Sequence, residues 1–169
     1  IGGKFISVGA GRKIAYSATG AGVRSLDKFR PISETMRAYA FCQSGAYMNY
    51  GNVSYYEDGE WVNYPNKIVC AEPGTVNQFD IDFGAWETDL PGDGGILEMA
   101  SIQGGWVVAR TSSVDLMTDG GSVQLPWAWD GDYGEGLKII SNFATFGGAA
   151  FAVFEDGLLY RADYNAIRR

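Results

Sequence analysis

The feature that most constrains this chain is a degenerate module that recurs about five times along its 169 residues. Each copy is a run of small residues, an aromatic or aliphatic strand-like segment, a tight turn, a second such segment and a Gly-containing turn. The clearest copies are Gly2-Gly3-Lys4-Phe5-Ile6-Ser7-Val8 followed by Lys13-Ile14-Ala15-Tyr16-Ser17, and Gly104-Gly105-Trp106-Val107-Val108-Ala109 followed by Ser113-Val114-Asp115-Leu116-Met117. Others begin at Ser44-Gly45, Pro73-Gly74 and Gly147-Gly148. The second glycines fall at 3, 45, 74, 105 and 148, spaced by 42, 29, 31 and 43, with a mean near 36. A closing turn follows at Gly20, Gly59, Gly94 and Gly120, and Asp163-Tyr164-Asn165 takes that place in the last copy. A repeat of this length implies one small supersecondary unit, stacked so that neighbours bury each other's apolar faces.

Inside the units the period is two. Bulky apolar groups alternate in Val53-Ser54-Tyr55-Tyr56 and Leu158-Leu159-Tyr160-Arg161, the pattern of strands with one face inward. The turns Glu57-Asp58-Gly59-Glu60, Thr118-Asp119-Gly120-Gly121 and Glu155-Asp156-Gly157-Leu158 suit hairpins, because Asp tolerates left-handed φ and Gly adopts it freely. Glycine at 24 positions and 14% aromatic residues fit such a turn-rich β chain. The best helical segment is Ile32 to Ala40, with Ser33 as a cap, yet its Tyr39-Ala40-Phe41 reads equally as strand, and residues 25–33 read as a polar connection.

A full unit then has four strands. In the second unit they are Met36 to Cys42, Tyr47 to Tyr50, Val53 to Glu57 and Trp61 to Tyr64. In the fourth they are Ile96 to Ile102, Trp106 to Arg110, Val114 to Thr118 and Val123 to Trp127. The expectation is an all-β, single repeat-built domain: a small β-propeller-like array of about five antiparallel units, over residues 1–31, 32–65, 66–95, 96–131 and 132–169. A mean period near 36 is somewhat below the ~40–45 residues of the best known four-stranded blades. The first unit lacks a leading strand and the last a trailing one. Either the two termini complete one another in a closed ring, or this is an arc of a longer propeller with edges open to a neighbour. The start at Ile1 instead of Met reads as a processed product or a fragment.

Several functions are disfavoured by composition. A net charge of -7 with no basic run beyond Arg168-Arg169 argues against nucleic acid. No apolar stretch approaches the ~18–20 residues that cross a bilayer, so no membrane insertion is expected. The absence of histidine removes Ser-His-Asp and Cys-His catalysis and His-ligated zinc. Cys42 and Cys70 precede the glycines of adjacent repeats and read as free and buried, with a bridge as the alternative.

The segment from Lys4 to Gly20, with its Lys13-Ile14-Ala15-Tyr16-Ser17 strand, resembles the blade hairpin of sialidase or Asp-box propellers. Thr118-Asp119-Gly120-Gly121-Ser122 and Tyr56-Glu57-Asp58-Gly59-Glu60-Trp61 are similar to its closing turn. The pattern departs from a full Asp box at Thr19, which replaces Asp, and in having its closing Trp only at Trp61. Repeats of this kind occur in glycosidases, in lectin-like modules and in tail or host-contact proteins of bacteriophages. The resemblance therefore implies a structural or host-contact component of a phage particle, virion-borne or extracellular. Its partners would be other virion or surface proteins, a second copy of the chain, or a cell-surface glycan. A sugar-binding lectin and a sialidase-like hydrolase are the alternatives.

Four residue constellations bear on that choice. A sialidase-like site would need arginines converging on a carboxylate, drawn from Arg12, Arg24, Arg37, Arg110 and Arg161, with a Tyr/Glu pair such as Tyr56 with Glu57. Asp80, Asp82, Glu87 and Asp89 are the densest acidic cluster, in which Asp80 and Asp82 alternate on one strand face. The loop Asp130-Gly131-Asp132-Tyr133-Gly134-Glu135-Gly136 is rich in oxygen ligands but lacks EF-hand spacing. Trp127, Trp129, Asp130, Asp132 and Tyr133 bring aromatic faces and carboxylates together, the mixture that sugar recognition uses; the alternative is that the rings fill wedges between units. No catalytic residue, cofactor or metal is assigned, and a non-enzymatic binding module is expected.

Overall fold

The computed structural model describes residues 5–9, 13–17, 30–121 and 126–169. Gly2, Gly3, Gly11 and Gly20 of the first repeat, residues 25–29 of the expected 25–33 connection, Arg12, Arg24 and the expected strand start at Val123 lie outside them, while Arg30–Pro31 of that connection is strand. The described chain is all-β, with a single 3₁₀ turn at Ile81–Phe83. Hairpin β1 (Phe5–Gly9) and β2 (Lys13–Ser17) pairs Phe5 with Ser17. A second sheet runs β3 (Arg30–Pro31), β4 (Met36–Ser44), β5 (Tyr47–Glu57), β6 (Glu60–Cys70) and β7 (Trp86–Asp89). A third runs β8 (Ile96–Ile102), β9 (Gly105–Arg110), β10 (Ser113–Asp119) and β11 (Trp127–Glu135). The last comprises β12 (Ala144–Phe146), β13 (Ala149–Val153), β14 (Leu159–Ala162) and β15 (Ile167–Arg168). Within every sheet each strand pairs antiparallel with the next in sequence, and no sheet closes on itself.

The segment Ile32 to Ala40 resolves in favour of strand, since its second half is β4. The turn Asp58-Gly59 takes positive φ at both residues, 48° and 94°, as the hairpin reading requires, and sets Glu57 opposite Glu60. Two expected boundaries dissolve, and 131/132 is one of them, since it falls inside the continuous strand β11. Residues on both sides of 65/66 lie in the continuous strand β6, so the segments read as second and third units share one sheet. Pro65 looks like a strand end because it has no N–H. It is accommodated where the ladder slips between Gly51/Ile68 and Val53/Tyr64, a bulge in which no bond is demanded of it.

The landmark glycines sort accordingly. Gly45, Gly105 and Gly148 all stand at the turn between the first and second long strands of their sheets, whereas Gly74 belongs to the β6–β7 connection. At Gly105 the requirement is space, not φ: an added Cβ would fall 2.1 Å from the carbonyl oxygen of Met117 on β10.

The described residues form three clusters of buried side chains, two of which cover the β8–β11 sheet on both faces. In β9 every residue is buried, and alternation sends Trp106 and Val108 one way and Val107 and Ala109 the other. The first set meets Ala40, Cys42, Ile68 and Cys70 of the preceding sheet; the second meets Ala150, Ala152 and Phe154 of the following one. First strands lie side by side, β4 against β8 and β8 against β12.

Cys42, Asn49 and Cys70 form one cross-strand row over β4, β5 and β6. Both thiols are free and buried. Two strand spacings place the cysteines about 9–10 Å apart, beyond the ~7 Å Cα limit of a disulfide. Asn49 links them instead, accepting from the Cys70 thiol at 2.8 Å and donating to the Cys42 carbonyl at 3.4 Å. Burial pushes the Cys42 thiol up to about 12 and raises that of Cys70 as well. Neither thiol is therefore expected to react with iodoacetamide in the folded protein at pH 8, and both should react in denaturant without reductant; intact mass reads the difference. A chain that resists alkylation even when unfolded would be bridged.

Candidate functional site

The aromatic and acidic residues around β11 do not gather into one pocket. Trp127 is buried in the first core, edge-on to Trp106 at 5.6 Å and to Tyr47 at 5.8 Å. It fills the wedge between sheets. Trp129 is 44% exposed, and its indole lies against the Gly131 backbone, 2.1 Å from where a Cβ would stand, so one ring face is covered. Asp130 and Asp132 are exposed, but the segment read as an acidic loop is strand as far as Glu135, and Asp130 accepts the Asp132 amide at 3.1 Å at the bulge of β11. The Tyr133 hydroxyl donates to the carbonyls of Asp163 and Ala166, the latter at 3.0 Å, tying β11 to the β14–β15 turn. Burial, with the Asp163 charge second, raises the Tyr133 pKa and keeps that hydroxyl a donor.

The other constellations disperse similarly. Asp80 and Asp82 are not on a strand: Asp80 caps the 3₁₀ turn, accepting the Asp82 amide at 2.9 Å. A short polar side chain that can bond its own backbone two residues on competes with the ladder, and here it wins. Glu87 and Asp89 both face Lys67, at 3.3 and 3.7 Å. Arg110 is buried, and Arg37 lies 4.2 Å from the centre of the Trp61 ring. Glu57 accepts from the hydroxyl of Tyr64, at 3.1 Å, and that carboxylate bond raises the Tyr64 pKa. The described candidate arginines, Arg37, Arg110 and Arg161, stand on three different sheets, and among the described residues no group of three or more Cys, Asp or Glu is placed to hold a metal.

What the fold does assemble is a cleft of about 410 Å³ where three turns meet: Gln103-Gly104 after β8, Gly147-Gly148 after β12, and Asp163-Tyr164-Asn165 after β14, with Arg161 beside them. The sheets are stitched there by the Gln103 amide donating to the Gly148 carbonyl at 2.7 Å. Asp163 shapes its turn by accepting the amides of Asn165 at 3.0 Å and Ala166 at 3.2 Å, and it pairs with Arg161 at 3.2 Å. Those amide bonds, ahead of the nearby arginines, lower its pKa. The Tyr164 ring is half exposed and rests on Gly104, where a Cβ would lie 3.0 Å from it. Each of these turns was visible in the sequence as a repeat landmark, but nothing in the repeat said that they converge.

No protein-family model matches the chain, and no curated protein matches it. Among the described residues no helix is long and apolar enough to cross a membrane.

Proposed function

We propose that the chain is a non-enzymatic binding and assembly module, an array of propeller-like blades in which β4, β8 and β12 are the inner strands and the β1–β2 hairpin belongs to a further blade. The observation that carries the reading is the set of large apolar side chains left at turn tips and sheet edges. Phe146 is 83% exposed on β12, and Ile81 and Phe83 are 74% and 71% exposed on the 3₁₀ turn. Apolar groups held out on rigid elements favour contacts with other proteins. The likeness of its hairpins to Asp-box repeats adds the setting: a structural or host-contact component of a bacteriophage particle. Mass spectrometry of purified particles from a host carrying the gene is expected to find the chain in stoichiometric amount; its absence from particles would remove that setting.

A second reading, sugar binding, is favoured by the turn cleft with its aromatic wall and amide groups. Sialidase-like hydrolysis is the least supported, because of the described candidate arginines Arg37 stacks on Trp61 and Arg110 is buried against residues 91–94, which leaves Arg161 alone with donors to spare.

A further inference from the structure

The cleft's chemistry narrows what it would hold. Its floor is glycine: Gly104, Gly147 and Gly148 all take positive φ, at 84°, 58° and 77°, and none offers a side chain to fill the space. One wall is the half-exposed ring of Tyr164. The rest is polar: the Gln103 and Asn165 amides, each both donor and acceptor, and the Arg161 guanidinium. Arg161 is 53% exposed at its side chain and spends one amino group on Asp163, leaving further N–H donors. The lining's one cation and one anion pair with each other, and Arg168 stands across the ladder from Arg161. The chain as a whole is acidic, with a net charge of -7, and repels polyanions at a distance.

A ligand that fits has a flat apolar face for the ring, many hydroxyls that both give and take hydrogen bonds, and no net charge. We propose that this cleft is a binding site for a neutral oligosaccharide, seated with a sugar ring against Tyr164 and its hydroxyls on Gln103, Asn165 and Arg161. The volume of about 410 Å³ lies in the ordinary range for small-ligand sites and suits one or two sugar rings. Tyr133 acts as a positioning residue, because its hydroxyl holds the carbonyls of the turn that carries Tyr164. The proposal rests on the sugar-binding reading and assigns it a site other than Trp129.

The test is calorimetric titration of the full chain with maltotriose, lactose, chitotriose and trigalacturonic acid. At least one neutral sugar is expected to bind, and to bind more tightly than the acidic trimer. Tyr164→Ala should weaken that binding about tenfold, from loss of the ring face. Tyr164→Phe should retain most of it, and Trp129→Ala should leave it unchanged. Binding that survives Tyr164→Ala but is lost in Trp129→Ala would overturn the site while keeping the sugar reading. Preference for the acidic trimer would overturn the assignment to neutral sugars. Binding of none of the four would overturn both, and the particle experiment would remain an independent check on assembly.

Discussion

Replacing Arg110 with methionine is expected to destabilise the fold by about 3–5 kcal/mol, because it strands a buried carboxylate and a row of carbonyls at once. The Arg110 side chain donates to the carbonyls of Pro91 and Gly94 at 2.8 Å, of Gly92 at 3.0 Å and of Asp93 at 3.1 Å. It also pairs with Asp115 at 3.4 Å, and both side chains are almost fully buried. One guanidinium therefore closes the whole loop between β7 and β8 while neutralising a charge on β10. Methionine matches much of the volume, so the loss is electrostatic and not a cavity. The second Asp115 oxygen keeps its bond from the Ser113 hydroxyl at 3.0 Å, but that neutral partner does not offset a buried charge. Urea unfolding of Arg110→Met, Asp115→Leu and the double variant separates the contributions. The double variant should be less impaired than the sum of the single ones, since it leaves no unpaired charge. An Arg110→Met protein with an unchanged midpoint would show that the network is not stabilising.

Trp106→Ala is expected to cost a similar amount, about 3–5 kcal/mol, through loss of packing alone. Trp106 is the largest fully buried side chain and sits where the β3–β7 and β8–β11 sheets meet, edge-on to Trp127. Truncation there opens a cavity lined by two sheets that are tied close by, the Ser44 hydroxyl donating to the Gly105 carbonyl at 3.3 Å. The walls are thus poorly able to collapse. The melting temperature should fall on the order of 10 °C, with loss of the near-ultraviolet circular dichroism of the Trp106–Trp127 pair. Trp106→Phe should be milder: the indole N–H has no hydrogen-bond partner among the described residues, so phenylalanine loses volume but also removes an unsatisfied donor. If alanine is tolerated as well as phenylalanine, Trp106 does not hold the sheets together. Trp127→Ala should also destabilise, which leaves Trp129→Ala as the variant that reports on β11 as a binding surface.

The limits of local reading are clearest in β5 and β6. Their hairpin was evident from Asp58-Gly59, yet each strand runs 11 residues where β9 and β10 have 6 and 7. Gly51-Asn52 and Pro65 look like breaks, but a bulge carries the strands through them. A bulge is a property of two paired chains, so it leaves no periodic signal in one. The same holds for Trp127 and Trp129: two residues apart, they look alike in sequence, and only the neighbouring sheet makes the first core and leaves the second in solvent.

The Gly-led repeat by itself determined that this chain folds as successive antiparallel hairpins, because alternation and turn chemistry act over a few residues and need no partner. It placed Gly45, Gly105 and Gly148 at matching turns. Only the tertiary structure decided how many units those hairpins make, which alternating face Trp106 shares with Cys42 and Ile68, and that the turns at Gly104, Gly148 and Tyr164 meet in one cleft. Those outcomes depend on contacts between residues some 60 positions apart, such as Ser44 with Gly105. No local period encodes such a distance; packing does.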